Sequence, residues 1–120
     1  MSYDYTVFRA PSDQPMASWP AAAPPALGSV AEVRQRLDEL LHEVTWTQRG
    51  STWFGCSQGQ EGSAELQLTP EPDGQVHFVT IRRVERALVE HLCARLGLVA
   101  VDPQAMTLYR PETRGWTDAR

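Results

Sequence analysis

The chain has 120 residues, a formal net charge of −4 and 42% hydrophobic residues, the size and balance of one globular domain with a single core. Every one of its eleven basic residues is Arg; Lys and Asn are missing, which excludes Schiff-base and phosphate-loop lysines and any N-glycosylation acceptor. Two cysteines, Cys56 and Cys93, are too few for a disulfide framework and lack zinc-site spacing. They read as free thiols in a reducing cytosol.

The N-terminal sequence has neither a basic nor an apolar leader region, and no apolar run approaches a membrane span, so the expectation is a soluble, cytoplasmic protein. Tyr3 to Arg9, rich in aromatic and β-branched residues, predicts a first strand. Residues 11–28 hold five of the nine prolines and five alanines, a composition that predicts a long irregular loop pinned by Trp19. Ser29 to Val44 predicts a helix. Ser29 and Glu32 are spaced as a capping box, and Val30, Val33, Leu37, Leu40, Leu41 and Val44 form one apolar stripe.

Trp46 to Cys56 is strand material broken at Arg49-Gly50. Ala64, Leu66 and Leu68 alternate with Glu65, Gln67 and Thr69, as in a half-buried strand. Asp73-Gly74 signals a turn into a partner strand over Gln75 to Arg82. Val84 to Leu96 is a second amphipathic helix stopped by Gly97. Leu98–Val101 and Met106–Arg110 predict short strands, and 112–120 a frayed tail. The whole is expected to be one α+β domain with an antiparallel sheet of five to six strands and two amphipathic helices, in the order β-α-β-β-β-α-β-β.

Catalytic signals are weak. Gly55-Cys56-Ser57-Gln58-Gly59 matches the G-x-S-x-G nucleophile elbow, with Asp73 and His77 or His91 following in hydrolase order. That motif requires a strand turning sharply into a helix, whereas the residues after it lead to another strand. A glycine-rich hairpin loop is the expected structure, with Cys56 a packed strand cysteine. His42, His77 and His91 fall on three elements, and His91 and Cys93, two apart on a helix, face different directions. No catalytic, metal or cofactor-binding residue is therefore assigned.

Arg82, Arg83 and Arg86 form the one basic cluster, expected to pair with Glu85 and Glu90 rather than to bind nucleic acid. Between Gly50 and Ile81, by contrast, lie four carboxylates (Glu61, Glu65, Glu71 and Asp73) and no Arg, so the entire net charge arises in this segment. These four, with neighbouring Trp53 as an aromatic anchor or a core residue, are the candidate docking residues for a basic partner.

The opening Tyr3-Asp4-Tyr5-Thr6-Val7-Phe8-Arg9-Ala10-Pro11 resembles a group of small bacterial proteins that begin with a tyrosine-aspartate strand ending in Phe-Arg. Leu92-Cys93-Ala94-Arg95-Leu96-Gly97-Leu98-Val99-Ala100-Val101-Asp102-Pro103-Gln104 is similar to their leucine-cysteine helix, closing glycine and Asp-Pro-Gln turn. Many such proteins resemble immunity proteins of polymorphic or type VI secreted toxins. The resemblance implies a non-enzymatic protein that binds and neutralises a cognate toxin, while the acidic charge balance and the lack of a long apolar run lead us to expect no nucleic-acid or membrane partner. An adaptor or chaperone for a secreted effector is the alternative, followed by a small hydrolase using Ser57 or Cys56.

Overall fold

The computed structural model describes residues 4–21, 24–59 and 62–119. Ten strands are present among them: β1 (Asp4–Phe8), β2 (Gly28–Ser29), β3 (Thr45–Arg49), β4 (Thr52–Gly59), β5 (Gly62–Leu68), β6 (Gln75–Val76), β7 (Val79–Arg82), β8 (Val99–Asp102), β9 (Thr107–Arg110) and β10 (Gly115–Asp118). Two helices, α1 (Val30–Leu40) and α2 (Arg86–Leu96), and one 3-10 turn at Met16–Ser18 complete the chain. Eight strands form one sheet in the order β10-β9-β8-β1-β7-β5-β4-β3, and β2 pairs with β6 apart from it. Every pairing is antiparallel. The α+β class with two helices stands; the sheet is larger than the expected five to six strands.

Local chemistry accounts for both helices. The Ser29 hydroxyl accepts from the Glu32 amide, and the Glu32 carboxylate accepts from the Ser29 amide, so two otherwise unpaired donors are satisfied at the start of α1. The Ser29 amide that donates to the Glu32 carboxylate, followed by the Ser29 hydroxyl beside it, holds the Glu32 carboxyl below its ordinary value. Helix α2 ends on Gly97, whose φ of 68° lies in the left-handed region that glycine enters without steric cost.

Both helices pack on one face of the sheet. Val33, Leu37 and Leu41 from the first and Leu88, Val89, Leu92 and Cys93 from the second meet Tyr5, Val7, Leu66, Leu68, Ile81 and Ala100 in the main core. A smaller cluster of Phe8, Val99, Leu108 and Ala119 forms on the opposite face, with Met16 and Trp19 packed against it. The proline-rich segment is thus a roof over that end of the sheet. Trp19 meets Phe8 edge-on at 5.9 Å, donates its Nε1–H to the Gln14 carbonyl, and lies 5.4 Å from the Arg110 guanidinium.

Several boundaries differ from expectation. Helix α1 stops at Leu40 rather than Val44, because Leu41 turns extended (φ −108°, ψ 153°) to bury its side chain. Glu43, at φ 50°, then redirects the chain into β3. The run Gln75–Arg82 is two strands serving two sheets. It breaks at His77-Phe78, where the Nδ1 atom of His77 lies 2.6 Å from the Pro24 carbonyl of the roof.

The expected frayed tail contains β10. It pairs with β9 and is anchored by one tryptophan: Trp116 lies 5.7 Å from Tyr5 and 5.3 Å from Tyr109, and donates to Glu90 at 2.8 Å. The basic cluster is paired, but with other acids than Glu85 and Glu90. Arg82 meets Asp4, Arg83 meets Glu65, and Arg86 meets the fully buried Asp102 at 2.9 Å. The other Asp102 oxygen accepts from the Gln104 and Ala105 amides and closes the β8–β9 turn. Neither helix is long and apolar enough to cross a membrane, among the described residues.

A candidate docking face on the open half of the sheet

Strand register builds the site. On the face away from the helices, one row runs Thr45, Cys56, Glu65, Arg82, Asp4, and the next runs Thr47, Phe54, Gln67, Thr80, Thr6. The proline-rich roof covers the β1–β8–β9 end of this face, whereas β3, β4 and β5 present their half to solvent. Antiparallel sheets commonly bury one face and solvate the other, which explains the threonines and glutamine here. Phe54 does not fit that account. It is 37% exposed in the middle of the polar rows, with the Arg49 guanidinium 5.9 Å from its ring.

Thr45, Thr47, Arg49, Phe54, Cys56 and Glu65 line a shallow groove of about 330 Å³ on this face. A second groove, of about 360 Å³, lies under the roof between Phe8, Trp19, Pro20, Pro24, Phe78 and Val101. Its lining is apolar throughout, apart from Thr6.

The predicted docking residues are dispersed. Glu65 lies on the open face, and its carboxylate is 3.5 Å from Arg83. Glu71 and Asp73 sit beyond the other end of β5, where they build the turn: the Glu71 carbonyl accepts from the Gly74 amide, and the Asp73 carboxylate accepts from the Gln75 amide. Glu61 lies outside the described residues. Trp53 is on the helix side, paired across from the buried Leu68 and packed against the core, with the Arg34 guanidinium 4.2 Å from its ring. The structure therefore joins Glu65 to Phe54, Arg49 and a set of threonines. It does not bring Trp53, Glu71 or Asp73 to the same place.

Phe54 and Arg49 were passed over by sequence reasoning, although the signal existed. Thr45 to Arg49 alternates, and once Trp46 is assigned inward, Thr45, Thr47 and Arg49 must face outward together.

The catalytic motif takes a different form from the expected hairpin loop. Residues 55–59 all lie within the extended strand β4. Ser57 is 2% exposed and donates its hydroxyl to the His42 carbonyl at 2.8 Å. Both flanking glycines are required by neighbours: a Cβ at Gly55 would lie 2.7 Å from the Trp46 ring, and one at Gly59 would lie 2.8 Å from the His42 Cβ. Cys56 is exposed rather than packed, because it shares the outward row with Thr45 and Glu65. Cys93 is buried, and the loss of water, followed by the Glu90 charge, pushes its thiol up to about 12. Among the described residues no group of three His, Cys, Asp or Glu side chains is placed to hold a metal ion.

Comparison of the chain with protein-family models, with curated proteins and with solved structures gives no match.

Proposed function

We propose that this chain is a non-enzymatic binding protein that docks a protein partner on the open half of its sheet, and specifically that it neutralises a cognate bacterial toxin. The observation that carries the docking reading is Phe54. A large aromatic side chain left 37% exposed within a polar, groove-bearing face has the character of an interface anchor. The backbone beneath it is fixed by neighbours on both sides, so little ordering entropy is lost on association. The toxin assignment rests on the sequence resemblance, and the net charge of −4 favours a basic partner.

In this reading Phe54 enters a pocket on the partner, the threonine and glutamine side chains exchange water for partner hydrogen bonds, and Glu65 trades Arg83 for a partner cation. The test is capture of the partner from the source bacterium with tagged protein, followed by expression of that partner alone and together with this chain. Growth arrest relieved by co-expression supports the function. Phe54→Asp is expected to weaken the complex by about 30-fold, the loss typical of a central anchor. Glu65→Lys is expected to weaken it less. Full protection and unchanged affinity in both variants would sink the docking face. A partner that is harmless when expressed alone but is exported would point to an adaptor.

A further inference from the structure

The geometry points to self-association: β3, one of the two terminal strands of the sheet, pairs antiparallel with β3 of a second copy about a two-fold axis at Trp46. This does not rest on the docking reading, since it concerns the edge of the sheet, although Thr45, Thr47 and Arg49 also border the open face. Among the described residues nothing pairs with the outer side of β3. An uncovered edge is a template for another strand, and proteins usually blunt it with proline, lysine or an inward charge. Thr45–Arg49 contains none of these inside the strand, and its one charge, Arg49, stands at its end.

Hydrogen-bond phase fixes what the edge offers. The β3–β4 hairpin turns over two residues, Gly50 and Ser51, with Gly50 at φ 60°, and it closes on the pair Arg49–Thr52. A two-residue turn closes on a hydrogen-bonded pair. By alternation Thr47 and Thr45 also bond inward to β4, so the N–H and C=O groups of Trp46 and Gln48 point outward. The Trp46 side chain leaves this edge clear. Its indole lies over Gly55 and donates Nε1–H to Asp38 at 2.8 Å.

Charge and side-chain matching select the occupant and the register. With Trp46 opposite its own copy, Thr45 meets Thr47 of the second chain, twice by symmetry, and the Arg49 end of each β3 falls beside Glu43 of the other copy, which precedes the strand at φ 50°. Thr–Thr pairs are favourable cross-strand neighbours, and opposite charges brought close attract. Glu43 is well exposed, with the His42 ring nitrogen 3.8 Å from its carboxylate. A self-complementary strand of this kind generates an isologous, closed two-fold dimer rather than an open chain.

The experiment is sedimentation equilibrium over a broad protein concentration range, with four variants. The intact protein is expected to move from 13.4 kDa towards twice that mass as concentration rises. Gln48→Pro removes only an outward-pointing amide and is expected to abolish the heavier species while keeping the native circular dichroism. Glu43→Arg and Arg49→Glu are each expected to weaken the dimer about tenfold, because each turns two attractions into repulsions. The double exchange Glu43→Arg/Arg49→Glu is expected to restore it. A mass of 13.4 kDa at every concentration would overturn the proposal. So would a dimer indifferent to Gln48→Pro, or a double exchange that fails to restore what the single changes removed.

Discussion

The two halves of the helix-free face share one sheet and one backbone geometry, yet they are finished differently. At the β1–β8–β9 end the residues pointing away from the helices are Phe8, Val99 and Leu108, and the proline-rich segment folds back to cover them. At the β3–β4–β5 end the equivalent positions are Thr45, Thr47, Cys56, Glu65 and Gln67, and no segment among the described residues folds back over them. Apolar side chains on an outer face call for a roof because their exposure costs about 25 cal/mol per Å². Hydroxyl and amide groups do not. The difference teaches that the roof and the bare half are one design: the chain covers most of what it cannot leave in water, although Phe78 and Met106 stay 41% and 39% exposed, and on the bare half Phe54 is the exception.

The comparison can be sharpened most strongly through the two thiols. Cys56 on the bare half is expected to react with a thiol reagent at the rate of an exposed cysteine. Cys93 must wait for the structure to open, which slows labelling by several orders of magnitude. The same burial makes stability pH-dependent. A thiol held near 12 in the folded chain and about 8.5 in the unfolded one contributes stability that is complete below about pH 8.5 and lost as pH rises through 12. Burial raises the Tyr109 phenol in the same direction. Cys93→Ala is therefore expected to flatten part, not all, of the alkaline fall in thermal stability.

Core and bare face should also separate in unfolding experiments. Leu66→Ala, on the helix side of β5, is expected to cost about 2–5 kcal/mol by denaturant titration, whereas its outward neighbour in Gln67→Ala should stay within about 0.5 kcal/mol. Gly55→Ala forces a methyl into the Trp46 ring and is expected to cost about 1–3 kcal/mol. Smallest of the structural losses, Trp19→Ala is expected to cost about 1–2 kcal/mol, less than a core aromatic, while raising binding of a hydrophobic dye as Phe8 is uncovered. A roof whose loss leaves dye binding unchanged would break the comparison.

Periodicity made α1, β5 and the Gly97 stop legible, because each is decided by neighbours close in sequence. Charge was legible only in part. The segment from Gly50 to Ile81 carries acids and no Arg, but a sheet places distant residues side by side, and Arg82 and Arg83 arrive from β7 and its end to meet Asp4 and Glu65. A charge asymmetry along the chain thus becomes an ion-pair pattern across it. The helix residues Arg34 and Asp38 show the same limit. Polar residues outside the apolar stripe of α1, they lie against Trp46 and Trp53, because a second layer of aromatic side chains from β3 and β4 reaches over the helix. Strand β10 escaped because its docking depends on one tryptophan and on partners from β1, β9 and α2.

The position of β1 has a consequence for how the chain is made. It lies in the interior of the sheet, between β7 and β8, with Tyr5 opposite Ile81 and Val7 opposite Ala100. A ribosome releases Asp4–Phe8 well before either partner strand exists, so this aromatic segment waits with both edges unsatisfied until they emerge. Contacts of such long sequence separation slow folding, since loop-closure entropy is lost before any pairing returns it. Strands β7 and β8 complete β1, and the nascent chain is more aggregation-prone until Val99–Asp102 has cleared the exit tunnel.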